Sequence, residues 1–189
     1  MVHVRSLFSI RRAAIAAAAA LALGVGAVVW ATSPATAAVK PADSATNCAT
    51  SALSVWVDAS QGSGAAGTIE YALEFTNIGS KPCTLIGYPG VAAMSATGKQ
   101  LGDAAGWNPV YPARLVTIPA GGTAHADLFW SDGEVFTSGC KPTTASLIKV
   151  FPPNSRTSKS GFFDLQACTL VKHPYLHASV IRSGPKVDD

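Results

Sequence analysis

In residues 68–76 every second side chain is apolar: Ile69, Tyr71, Leu73 and Phe75 alternate with Thr68, Glu70, Ala72, Glu74 and Thr76. A period of two is the pattern of a β-strand with one face on a core. Asn77-Ile78-Gly79-Ser80 follows as a turn, in which Gly79 can take the positive φ that strains a residue with a Cβ. Cys83 opens a second short apolar run, which stops at Gly87-Tyr88-Pro89-Gly90. Residues 68–91 thus supply a hairpin, half of a disulfide and a rigid Pro/Gly loop, and no group that does chemistry.

The same alternation recurs along the chain. Leu53, Val55 and Val57 alternate with Ser54, Trp56 and Asp58 in a first strand, and the Gly-rich residues 61–67 read as a loose hairpin loop. Residues 91–95 form another strand, and 101–114, aperiodic and rich in Gly, Asn and Pro, read as a long loop. Residues 115–118 and 123–130 form a second hairpin across Pro119-Ala120-Gly121-Gly122. In its second strand Ala124, Ala126, Leu128 and Trp130 share one face, with His125, Asp127 and Phe129 on the other. Residues 131–139 and 154–161 connect, 146–151 and 162–167 pair back to back, and 175–181 close the domain. Eight or nine short strands with no amphipathic helix predict an all-β, two-sheet antiparallel sandwich.

Ahead of this domain, residues 1–37 read as a signal peptide: Arg5, Arg11 and Arg12 without an acid, apolar residues 13–30, then Ala35-Thr36-Ala37. An uncleaved anchor is the alternative, because 18 apolar residues approach the ~20 that span a bilayer. Of the 14 bases in the chain three lie in this leader, so the remainder carries 11 bases against 11 acids. That balance removes the electrostatic footprint of a nucleic-acid binder. Residues 38–47 read as a flexible spacer, 48–181 as one β-sandwich domain and 182–189 as a polar tail. No membrane span is expected after cleavage, and the location is secreted or associated with the cell wall.

Cys48, Cys83, Cys140 and Cys168 all lie past the leader, an even count that in an exported chain reads as two disulfides. Cys48 precedes the first strand and Cys83 follows the second; Cys140 and Cys168 likewise flank the later pair. The nested pairing, 48–83 and 140–168, is favoured over the two crossed alternatives.

The candidates for chemistry are sparse. His125 and Asp127 share a strand face and could begin a metal site or a His/Asp pair, but a solvated outer face explains them without a third ligand. His173, Tyr175 and His177 would share a face if the last strand starts early, though Pro174 suits an edge or turn. Gly62-Ser63-Gly64 lacks the spacing of a nucleophile elbow, and Asp132-Gly133-Glu134 lacks the graded ligands of a calcium loop. Glu70 and Glu74 face the same way, as a polar strand face would. Trp56, Trp107, Tyr111 and Phe129 are the candidate ligand surface, an aromatic patch suited to a sugar or a protein partner.

The series Asn77-x-Gly79-Ser80-x-x-Cys83-x-Leu85-x-Gly87-Tyr88-Pro89-Gly90, the Ile118–Gly122 turn, Trp130, Cys140 and Cys168 together resemble a secreted actinobacterial family of domains of unknown function, DUF4232. The resemblance spans about residues 48–180. It implies an immunoglobulin-like sandwich exported to the cell envelope, and it assigns no catalytic residue. Members are often lipoproteins, whereas this chain has no cysteine at its cleavage site. The expectation is a non-catalytic binding or structural module, without cofactor or metal, whose partner is an envelope protein or glycan. The alternatives are a wall-directed hydrolase and a metal-handling protein.

Overall fold

The computed structural model describes residues 45–65, 67–131, 140–169 and 174–186. The leader, most of the spacer, His173 and Asp132-Gly133-Glu134 lie outside them. Among the described residues there is no α-helix, and no helix long and apolar enough to cross a membrane. The strands are β1 (Leu53–Ala65), β2 (Thr68–Asn77), β3 (Cys83–Leu85), β4 (Gly90–Met94), β5 (Gly106–Trp107) and β6 (Val116–Ile118). They continue with β7 (Thr123–Ser131), β8 (Pro142–Phe151), β9 (Lys159–Cys168), β10 (Leu176–Ala178) and β11 (Arg182–Ser183).

One sheet runs β1-β2-β7-β10-β5, with β11 also on β7; a second runs β4-β8-β9; β3 and β6 form a small third. The alternation of β2 sets the core. Leu73 and Phe75 stand opposite Ala126 and Ala124 of β7 and opposite Val57 and Val55 of β1. The core cluster joins them to Val91 and Ala93 of β4, Ile148 and Val150 of β8, and Phe163 and Leu165 of β9. Non-polar area from both larger sheets is thereby removed from water, the main favourable term in a fold of this size.

Both disulfides pair as the nested hairpins predict, Cys48 with Cys83 and Cys140 with Cys168, with Cα atoms 4.8 and 5.4 Å apart. Cys48 is tied in further by its N–H, which donates to the Thr84 carbonyl at 2.9 Å.

Four local expectations are corrected. Residues 61–65 are strand, not loop: β1 runs on to Ala65 through an irregularity in register between Asp58 and Ser63. The Asp58 carboxylate accepts from the Ser60 N–H and hydroxyl at 2.9 and 2.6 Å, which holds the kinked strand. Gly62 lies close under Tyr71, where a Cβ would meet the ring at 3.1 Å.

Gly79 does not take a positive φ. Its turn is held instead by buried Asn77, whose Nδ2 donates to the carbonyls of Lys81 and Ile118 and whose Oδ1 accepts the Gly79 N–H. A Cβ at this position would sit 3.1 Å from that same Oδ1, a tight approach that would press on the amide holding the turn.

β6 does not form a hairpin with β7; it pairs with β3, Cys83 opposite Ile118. The Pro119–Gly122 turn is captured by Asn77, whose N–H donates to Gly122 O and whose carbonyl accepts the Gly121 N–H. Finally, the presumed loop 101–114 contains β5, which lies parallel to β10.

Candidate ligand surface

The outer face of the large sheet, opposite the core, is where the expected site residues fall. Rows across it follow from register: Trp56–Glu74–His125–Arg182, then Asp58–Ala72–Asp127, then Glu70–Phe129–His177–Gly106. A solvated face is expected here, and the structure overturns that. His125 is only 6% exposed and Asp127 is fully buried. The cover is the chain's own C-terminal segment: β11 pairs with β7 in the sheet and sets the Arg182 side chain on this face, and Gly184 and Lys186 bond to its side chains, so the presumed polar tail is in part a strand and a strap.

The strap neutralises what it covers. Arg182 Nη2 donates to both carboxylate oxygens of Asp127, at 2.6 and 2.8 Å, and Lys186 Nζ lies 3.6 Å from Oδ1. Lys186 also pairs with Glu70, and its backbone N–H donates to Glu74 Oε1 at 3.0 Å. Glu74 Oε2 is buried with no hydrogen-bond partner, and burial raises this carboxyl above its ordinary pKa. His125 Nδ1–H donates to the Gly184 carbonyl at 2.7 Å, and burial lowers its pKa, which favours the neutral ring.

This arrangement holds the chain's own tail. His125 is held by Gly184, and Asp127 by two cations, so the two do not make a His/Asp pair. Glu70 and Glu74 share a face as the alternation predicts, yet both are engaged by Lys186 instead of flanking an open cleft. Among the described residues no three His, Cys, Asp or Glu side chains converge for a metal. Ser63 sits in β1 and not on a sharp strand-to-helix turn.

The four aromatic candidates do not form one patch. Trp56, 45% exposed, is on β1, separated by β2 from Phe129 on β7 and by β2, β7 and β10 from Trp107 on β5. Tyr111 lies under the Arg182 guanidinium, 4.1 Å from its centroid, and lines a cleft of about 410 Å³ with Leu115 and Ile181. Trp107 and Phe129 both line a shallow cleft of about 320 Å³ with Thr68, Asn108, Ser131 and His177, although Trp107 pairs with core-facing Ala178 and Phe129 with His177 on the other face. Trp107 is 72% exposed and stacks on Tyr88, ring centroids 5.1 Å apart and planes within 10°.

The floor of that cleft is hydrogen-bonded sheet. Phe129 is opposite His177 and His177 opposite Gly106. Asn108 N–H donates to Ala178 O, and Ser131 N–H to Tyr175 O. Gly106 lets β5 approach: a Cβ there would stand 2.8 Å from His177 Cδ2. Burial holds the His177 pKa below its usual value.

Sequence reasoning missed Tyr88 as the backing of Trp107, Arg182 and Lys186 as cover for the outer face, and exposed Phe162 on β9. Buried acids require partners, but the burial of Asp127 is not visible in the alternation of its own strand, so nothing local signalled Arg182. Nothing local signals the Tyr88 stack, because its partner is 19 residues away in a segment without periodicity.

No curated protein and no solved structure matches the chain. A family match covers residues 48–179, which takes in β1 to β10, both disulfides and the cleft lined by Trp107 and Phe129, and the chain belongs to that family, the domain of unknown function DUF4232.

Proposed function

We propose that this chain is exported and acts in the cell envelope as a non-catalytic binding module, its β-domain an immunoglobulin-like sandwich of two facing sheets. The basic, acid-free leader and the two disulfides support export. The observation that carries the binding reading is Trp107, a large apolar ring left in solvent and stacked on Tyr88. An exposed indole with its orientation already set loses little side-chain freedom when a partner covers it. The charged groups of the outer face are meanwhile engaged by the strap, so this reading gives them a structural task.

Co-sedimentation of the purified protein with isolated envelope material, separated into protein and glycan fractions, tests the proposal. Saturable binding to one fraction, reduced in Trp107→Ala, is expected. Absence of binding to every fraction would reject it.

A further inference from the structure

Three exposed apolar side chains, Val110, Tyr111 and Leu115, fall within residues 110–115, the connection from β5 to β6. A single exposed apolar residue needs no explanation, but a contiguous group marks a contact surface. Tyr111 and Leu115 line the cleft of about 410 Å³ together with β11 and the buried Ile181 before it. Residues 115–117 and 181–183 line it as consecutive runs. Neighbouring side chains of a strand point to opposite faces, so the cleft runs along the edges of β6 and β11, not across one face of a sheet. Both edges are held in place, β6 by its pairing with β3 and β11 by its pairing with β7. A cleft of this size, mostly apolar with a few polar groups, has the composition of a small-molecule site.

The charges decide the ligand class. Two cations line the cleft, Arg114 and Arg182, and no acid does. Arg182 is committed: its Nη2 donates to Asp127 and its guanidinium lies on the Tyr111 ring, 4.1 Å from the centroid. Arg182 and Lys186 together face Asp127 and Glu70, so those charges balance. Arg114 is exposed and, among the described residues, in no ion pair. It is the surplus positive charge of the cleft. A neutral apolar ligand would leave it without a counter-charge, and an ammonium would be repelled. A bare oxyanion would meet Arg114 but cover none of the apolar wall. A molecule with an apolar body and an anionic head uses the whole lining, since a guanidinium matches a carboxylate with paired hydrogen bonds.

We infer that the cleft along β6 and β11 binds a small, free amphiphilic anion. Its alkyl or aryl body lies against Tyr111, Leu115 and Ile181, and its carboxylate meets the Arg114 guanidinium. Arg182 is a positioning residue, tied to Asp127 and holding the Tyr111 ring in place before the ligand arrives. Trp107 does not line this cleft, so the inference goes beyond the binding-module reading and stands apart from it.

The test is titration of the full domain with octanoate, 1-octanol, octylammonium and acetate, read by calorimetry and amide chemical shifts. Octanoate is expected to bind saturably, with octanol and acetate at least tenfold weaker and octylammonium weakest. Arg114→Gln should weaken octanoate several-fold and remove its advantage over octanol. Leu115→Ser should weaken octanoate and octanol alike, and Trp107→Ala neither, with unchanged circular dichroism in each. No saturable octanoate binding at millimolar concentration, equal affinity for octanol, or a folded Arg114→Gln that binds as wild type does would overturn the inference. Sedimentation velocity on the same samples tests a second copy as occupant: a dimer that Leu115→Ser dissociates and octanoate leaves intact would also overturn it. None of these results bears on envelope binding through Trp107, so the two readings fail separately.

Discussion

Replacing Arg182 with methionine removes the guanidinium that holds Asp127 while keeping much of the side-chain volume. Removing one partner of a buried ion pair destabilises by about 3–5 kcal/mol, since the other charge stays desolvated. Two observations reduce that figure here. The Arg182 side chain is 32% exposed, so solvent already screens the pair, and Lys186 Nζ remains 3.6 Å from Asp127 Oδ1. The loss of the guanidinium–Tyr111 stack adds about 0.5–1 kcal/mol. The expected net loss is about 2–3 kcal/mol, or roughly 5–10 °C in Tm for a domain of this size. Urea and thermal unfolding followed by tryptophan emission measure it. The double variant Asp127→Leu/Arg182→Met should recover most of the loss, because an apolar pair replaces the ionic one without leaving a charge behind. An Arg182→Met protein within about 0.5 kcal/mol of wild type, the scatter of an ordinary surface substitution, would mean that the strap does not lie on the sheet in solution.

Acid titration of stability carries two opposed signatures. Glu74, its folded pKa raised by burial, binds a proton more readily folded than unfolded, so its contribution favours the fold at low pH and is lost as pH rises from 4.5 through the folded value; Glu74→Gln should remove that decline in unfolding free energy measured against pH. His125 has a lowered folded pKa, so the stability it contributes is full above 6.5 and falls as pH drops from 6.5 through the folded value; His125→Asn should flatten that limb. The variant Cys48→Ala/Cys83→Ala should lose about 3–4 kcal/mol in denaturant unfolding, as expected for a closed loop of 35 residues in the chain-entropy model. N-terminal sequencing of secreted protein should begin at Ala38, whereas an intact leader in the membrane fraction would contradict the export reading.

What was legible in the sequence is what depends on neighbours along the chain. The alternation of Ile69, Tyr71, Leu73 and Phe75 identified β2 and its core face, and cysteines flanking hairpins identified both disulfides. What was not legible depends on elements far apart. The face carrying His125 and Asp127 reads as polar and therefore solvated, but Arg182 returns from 55 residues away to cover it. Alternation reports which residues share a face and is silent on what lies over that face. The hairpin expected between β6 and β7 failed for a similar reason: the side chain of Asn77, 41 residues before Ile118, takes the Ile118 carbonyl while β6 pairs with β3. Within the candidate site, Trp56, Trp107 and Tyr111 are exposed and Phe129 is half-buried. Their division into a Trp107–Phe129 cleft, a separate Tyr111 cleft and a lone Trp56 follows from strand order, which no local pattern encodes.

The central claim, that the domain binds a ligand and leaves it chemically unchanged, is tested most directly by mass spectrometry of that ligand. The fraction that co-sediments with the protein is incubated with it at equimolar concentration for a day, then released and weighed against a sample held without protein. The account predicts identical mass profiles together with binding that remains saturable at the end. New fragments accumulating beyond one equivalent, and persisting in protein freed of contaminating activity by a second purification, would contradict it and make the domain an enzyme.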